Sequence, residues 1–390
     1  MPQANRFRHQ AYTDTPPTSP PRRVQPGAYP PAGSDDFRRR MQEVGDALRA
    51  AGVVAIYLAH GTFVGSDTLG IVSELARVFP SADQPLRRLI RRLIDRLTGE
   101  LSNYTESYAR LFAAALHRPG QPRIPVRLFH WSSENHHLGR ADGAVRLLNE
   151  LTSLELAAGQ RVLLWGHSHA GNVFALATNL LGGGREAIDE FFTAAEIYYR
   201  WPIVGCVDIP VWERVRTLLE QEKLSAATLP LDIATFGTPV RYGWESAGYG
   251  NLLHFIHRRP AQGLPEYRAA FPPRLFDVLA ATEGDYVQQL GIAGTNVMPS
   301  ILAWRAWLAD NRLGRLLQPH PAEENLLARF QAGTIVPEEG TTLLVDYGHP
   351  HHSITKHHAG HAVYTQKQWL LFHAEEVARQ FYQRRAQGAA

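Results

Sequence analysis

The run Arg161-Val162-Leu163-Leu164-Trp165 passes through Gly166-His167-Ser168-His169-Ala170-Gly171 directly into Asn172-Val173-Phe174-Ala175-Leu176-Ala177. Its first part is apolar after the opening Arg and short, and it reads as a strand covered on both faces. The second part, which stops at Gly182-Gly183-Gly184, reads as a helix. A buried strand that turns at once into a helix constrains the chain to a sheet with helices packed on it. Ser168 falls on the turn itself. The small residues Gly166, Ala170 and Gly171 let strand and helix press together where larger side chains would collide. Such a turn holds Ser168 Oγ above the sheet edge. It also aims the backbone N–H of His169, with the positive end of the new helix, at an oxyanion forming beside it. The bland alternative is an ordinary strand-to-helix turn with a hydroxyl cap.

Other segments repeat the pattern. Val53 to Ala59 is a continuous apolar run that delivers His60-Gly61-Thr62-Phe63 to its C-terminal end, the edge at which open α/β sheets bind ligands. Gly61 lets the backbone turn there, so the Thr62 N–H is a second oxyanion donor beside that of His169. Pro125 to Trp131 reads as another strand, and a helix from about 141 to 156 then leads to the Ser168 strand. Strand, helix and strand at this spacing make a parallel crossover. Helices are expected over 185–200 and 211–224, then a strand from Leu231 to Phe236 entering Gly237-Thr238-Pro239. Leu252 to His257 and Val287 to Ala293 are further apolar runs, and 300–317 and 322–332 have helical character. The last strand, Thr341 to Val345, ends in Asp346, and an amphipathic helix follows from Gln366 to about Arg384. The expected fold class is α/β, with a mostly parallel central sheet flanked by helices. Residues 35–390 read as a single domain with helical insertions at about 66–120, 185–230 and 297–340. Residues 1–34 carry three Pro-Pro pairs and no periodic apolar face, and they read as a disordered tail.

A serine hydroxyl is a weak nucleophile near neutral pH. It needs a base within hydrogen-bond reach and a carboxylate to orient that base. Asp346, at the end of the last strand, is the expected acid, and Asp208, Asp285 and Asp310 also lie near strand ends. Six histidines fall within 349–361, and His361, just ahead of the terminal helix, is preferred as base over His351, His352, His357 and His358.

With these pieces in place the chain resembles the α/β-hydrolase superfamily, and within it the lipase and carboxylesterase group. The resembling residues are His60-Gly61-Thr62 after a strand, Gly166-His167-Ser168-His169-Ala170-Gly171-Asn172 at the turn, Thr235-Phe236-Gly237-Thr238-Pro239 after the next strand, and Gly360-His361-Ala362-Val363-Tyr364 before the terminal helix. The resemblance spans about residues 50–384. The group usually has Gly two residues after the serine, where this chain has Ala170 followed by Gly171. Membership implies ester hydrolysis through an acyl-enzyme on Ser168, backbone N–H groups of Thr62 and His169 as the oxyanion hole, and no cofactor. The expected partner is a small-molecule or lipid ester.

Composition narrows the remaining classes. A net charge of +3 on 390 residues, with 37 of the 40 basic side chains being Arg, is too mild for a dedicated polyanion surface, so no nucleic-acid partner is expected. The single cysteine, Cys206, excludes an internal disulfide framework and fits a reducing, cytoplasmic setting. No run of about 18 apolar residues is present. The segment from Pro85 to Thr98 would place six Leu and Ile residues on one helical face and five Arg on the other. Burying each apolar side chain contributes about 1.5–3 kcal/mol, against about 1 kcal/mol per Arg at an anionic membrane. Packing on the core is therefore expected, with transient membrane-surface contact through 85–98 as the alternative. Two rival functions remain: a metal site in the histidine-rich loop, and an inactive hydrolase fold used as a binding module.

Overall fold

Side-chain alternation explains why the central strands read as unbroken apolar runs. In β4 (Arg161–His167), Val162 and Leu164 enter one core while Leu163 and Trp165 enter the other. β2 (Val53–Ala59) divides likewise, with Ala55, Tyr57 and Ala59 against Ile56 and Leu58. Apart from the partly exposed Val54 and Arg161, both faces of both strands are buried, which leaves no place for a polar stripe. The computed structural model describes residues 7, 21–61, 103–201, 206–259, 263–265, 268–270, 274–293, 299, 303–317, 339–348 and 358–383.

Five more strands complete the described sheet: β1 (Arg22–Val24), β3 (Val126–Phe129), β5 (Leu231–Phe236), β6 (Asn251–His257) and β7 (Thr341–Val345). All seven are parallel, in the order β1-β7-β6-β5-β4-β2-β3. The fold is α/β, a parallel sheet flanked by helices, consistent with an α/β-hydrolase-like arrangement. In chain order the described α-helices are α1 (Asp35–Ala50), α2 (Glu106–Leu116), α3 (His137–Leu151), α4 (Ala170–Gly182), α5 (Arg185–Tyr199), α6 (Pro210–Glu220), α7 (Leu275–Ala280), α8 (Tyr286–Ala293), α9 (Trp304–Leu317) and α10 (Leu370–Ala378). Residues of α3, α4, α5, α6 and α9 share one core, and those of α1, α2 and α10 share the other.

Register aligns the strand exits. Ala59 pairs with Gly166, His167 with Phe236, Phe236 with Phe255, and His257 with Val345. The loops after β2, β4, β5, β6 and β7 therefore leave at one edge, which is where the site is assembled.

Several boundaries differ from expectation. The N-terminal tail is not wholly without structure, because Arg22–Val24 pairs with β7 and the Asp346 N–H donates to the Val24 carbonyl at 3.0 Å. Phe7 is buried and stacks on Phe191, and Tyr29 packs on Phe372, so apolar side chains set among prolines do reach the core. α3 begins at His137 rather than near 141, because Asp310 Oδ1 accepts the Leu138 N–H at 2.8 Å and His136 Nδ1 accepts that of Gly139 at 2.9 Å. The terminal helix divides into a 3₁₀ turn (Lys367–Trp369), α10 and a π turn (Arg379–Gln383). The expected helices over 85–98 and 322–332 lie outside the described residues. Among those described, no helix is long and apolar enough to cross a membrane.

Candidate active site

Ser168 occupies the left-handed region, with φ 55°. A non-glycine residue held there costs about 1–3 kcal/mol, and surrounding contacts offset it. Its N–H donates to the Phe236 carbonyl at 2.8 Å, and its carbonyl accepts the Thr238 hydroxyl at 2.8 Å. Close packing accounts for the small residues on either side: a Cβ at Gly166 would strike the Phe174 ring, and one at Gly171 would strike Thr238. α4 opens on His169 with no side-chain cap, so its first N–H groups keep no side-chain partner. Beside it the end of β2 closes in, since a Cβ on Gly61 would lie 2.6 Å from Ser168 Cβ. The Gly61 carbonyl is fixed by Ser133 Oγ, which donates at 2.9 Å, and by the ring N–H at His60 Nδ1, at 3.0 Å. Thr62, the expected second oxyanion donor, lies outside the described residues.

His361 meets a carboxylate, but that carboxylate is Asp285. The His361 Nδ1–H donates to Asp285 Oδ2 at 2.7 Å. The same oxygen accepts the Tyr364 hydroxyl at 3.0 Å, and Oδ1 accepts the Gln288 N–H at 2.9 Å. The Asp285 side chain has no solvent exposure. Three donors therefore fix its two oxygens at the start of α8. Burial, followed by the adjacent Asp285 charge, raises the Tyr364 pKa well above 10, so the hydroxyl keeps its proton and donates.

The structure does not bring the expected acid, Asp346, to His361. Its Oδ1 accepts from Arg259 Nε at 3.0 Å and from the Gly348 N–H at 2.9 Å. The reason is where the turn that carries His361 docks. Gly360 sits so close to Gly284 that a Cβ would strike the Gly284 carbonyl, and His257 at the end of β6 bonds the Gly360 carbonyl. His361 therefore returns to the β6 exit, not to that of β7. The other two candidates are also engaged elsewhere: Asp208 with Arg305 at 2.5 and 3.0 Å, and Asp310 with the start of α3.

The rings of His167 and His361 lie 4.5 Å apart between centroids, which brings the His361–Asp285 pair to the residue preceding Ser168. Among the described residues the Ser168 hydroxyl has no hydrogen bond to His361; such contacts are often long in unliganded enzymes and tighten with substrate. His169 Nδ1 accepts from Asn172 Nδ2 at 3.0 Å and faces Arg140 Nη1 at 3.5 Å, which leaves its proton on Nε2. Burial, then Arg140, Arg241 and His361, hold its pKa well below 6.5, so the ring stays neutral.

Sequence reasoning missed Tyr364, Gln288 and His257 as parts of the site. One local signal was present: Asp285 three residues ahead of Gln288, before an apolar run, is a helix-start pattern. That pattern reports a cap and says nothing of an imidazole 76 residues away. Among the described residues no group of three or more His, Cys, Asp or Glu could hold a metal ion. His349, His351, His352 and His357 lie outside them. Compared with known proteins, the chain matches no protein-family model, no curated protein and no solved structure.

Proposed function

We propose that this protein is a serine hydrolase of the α/β-hydrolase superfamily, lipase- or carboxylesterase-like, that cleaves carboxylic esters through an acyl-enzyme on Ser168. The observation that carries the reading is the buried Asp285–His361 hydrogen bond of 2.7 Å beside a serine held at φ 55°. An imidazole oriented by a carboxylate is what a serine hydroxyl needs for activation, and a strained turn is where a nucleophile is presented.

His361 holds its Nδ1 proton against Asp285, which leaves Nε2 as an acceptor. As Ser168 Oγ attacks the ester carbonyl, Nε2 takes the hydroxyl proton and Asp285 stabilises the resulting imidazolium. The tetrahedral oxyanion is met by the His169 N–H at the uncapped start of α4, with the Thr62 N–H as its partner. Collapse returns the proton from His361 to the departing alcohol. Water then enters by the same base, and hydrolysis of the acyl-enzyme frees the acid. No step requires a metal or cofactor. Lipid-like esters are the favoured substrates, contact with a membrane surface through 85–98 is the accompanying proposal, and the single cysteine supports a cytoplasmic setting.

A panel of esters of increasing acyl length, run on wild type and Ser168→Ala, tests this. The reading predicts turnover in wild type, with a clear chain-length preference, and a loss approaching 10⁶-fold in folded Ser168→Ala. Turnover within tenfold of wild type in that variant would remove Ser168 from the chemistry.

A further inference from the structure

The segment that carries His361 enters the left-handed region three times in succession, at His358 (φ 43°), Ala359 (50°) and Gly360 (91°). The first two are not glycine, and a residue with a Cβ is strained there. A turn of this kind keeps one shape only where its surroundings fix it. Two buried histidines stand at the carbonyls that close it. His257, the last residue of β6, places Nδ1 3.2 Å from the Gly360 carbonyl. His167, the last residue of β4, places Nε2 3.2 Å from the His361 carbonyl.

A carbonyl oxygen only accepts, so the facing nitrogen in each ring carries the proton. His257 is thereby the Nδ1–H tautomer and His167 has its proton on Nε2. Burial lowers the His257 pKa to about 4, so that ring is neutral through the physiological range. Both side chains are almost fully enclosed, at 2% and 1% exposure. Beyond the ring contacts it makes with its aromatic neighbours, each supplies a directed N–H that Leu lacks. A third support comes from the acid's own loop, where the His257 carbonyl accepts the Asp285 N–H at 3.0 Å and the Tyr364 hydroxyl accepts the His257 N–H at 2.7 Å. His257 thus holds the acid loop with its backbone and the base-bearing turn with its side chain.

We infer that His167 and His257 are positioning residues, two imidazoles that present N–H groups on opposite ring nitrogens, clamp the carbonyls of His361 and Gly360, and set the His361 ring against Asp285 and toward Ser168. The inference rests on the hydrolase reading for its catalytic consequence. Neither residue touches the reacting atoms. They act through the turn, and a base displaced by about 1 Å can lose on the order of a hundredfold in rate.

Four variants and one spectrum test it. His167→Leu and His257→Leu remove the donors. His167→Gln and His257→Asn return an amide N–H near the positions of Nε2 and Nδ1. Each Leu variant should lower kcat about ten- to a hundredfold with KM little changed, and each amide variant should recover most of the loss. Equal kcat in the Leu and amide variants, or a loss confined to KM, overturns the clamp. ¹⁵N spectra of the wild-type imidazoles give a reading that needs neither turnover nor a folded Leu variant. Slowly exchanging protons on His167 Nε2 and His257 Nδ1 are expected, and the opposite tautomers or fast exchange would contradict the inference. Turnover that survives Ser168→Ala would instead count against the hydrolase reading, while the tautomers would still decide the clamp.

Discussion

The turn that carries Ser168 and the pair formed by His361 and Asp285 are built in opposite ways. Ser168 is shaped first by its own neighbours in sequence, a strand ending at His167 and a helix starting at Ala170 with Gly166 against Phe174, and is then held in place by Phe236 and Thr238. The His–Asp pair joins segments 76 residues apart, and three left-handed residues bring the base to its acid. A locally encoded geometry can be written into a short motif. A geometry that depends on long-range docking cannot, and it needs supports such as Tyr364, His257 and His167 that no motif contains.

Four substitutions probe that contrast. The largest effect belongs to Asp285→Asn. An amide in place of the orienting carboxylate should lower kcat by about 10⁴-fold, by analogy with a serine protease, while Asp346→Asn stays within about threefold. A large loss at Asp346 with Asp285→Asn near normal would return the acid to the β7 exit. Tyr364→Phe comes next. It removes one of three donors to the carboxylate and strands the buried His257 N–H, which costs about 1–3 kcal/mol of stability. A kcat reduced by roughly three- to tenfold should accompany a lowered melting temperature; unchanged melting would mean that the hydroxyl is dispensable. The smallest effect on stability is one of opposite sign. Ser168→Gly relieves the φ 55° strain and should raise stability by about 1 kcal/mol while abolishing turnover. A destabilised Ser168→Gly protein would show that the left-handed turn is not strained.

The same contrast explains what could be read from the chain. β2 and β4 announced themselves because strands buried on both faces leave few polar positions to interrupt the apolar run, β5 and β7 were legible despite Asp232, Thr235 and Thr342, and β6 showed only as an apolar run. The Ser168 turn was equally legible, since the small residues it requires fall within 166–171, even though one of them, Gly171, is small because of Thr238. Asp346 had the better address, at a strand end just ahead of the histidines. What diverted it was Arg259, 87 residues away, whose guanidinium neutralises it. Asp285 looked like a helix start, which it also is. Arg22–Val24 gave no signal, because three residues on a sheet edge need only backbone pairing and leave no periodicity to detect. Phe7 was hidden for a related reason: one aromatic side chain stacked on Phe191 anchors its segment without any pattern around it.

The central claim is that His361, oriented by Asp285, activates Ser168. Covalent labelling by a fluorophosphonate, with the modified residue located by mass spectrometry, tests it most directly, because the probe reacts only with an activated serine and requires no knowledge of the substrate. The account predicts stoichiometric modification of Ser168 in the wild-type protein and labelling slowed by orders of magnitude in His361→Ala and Asp285→Asn, with Asp346→Asn labelled at close to the wild-type rate. Modification at another serine, or labelling of Ser168 that is indifferent to His361 and Asp285, would contradict it.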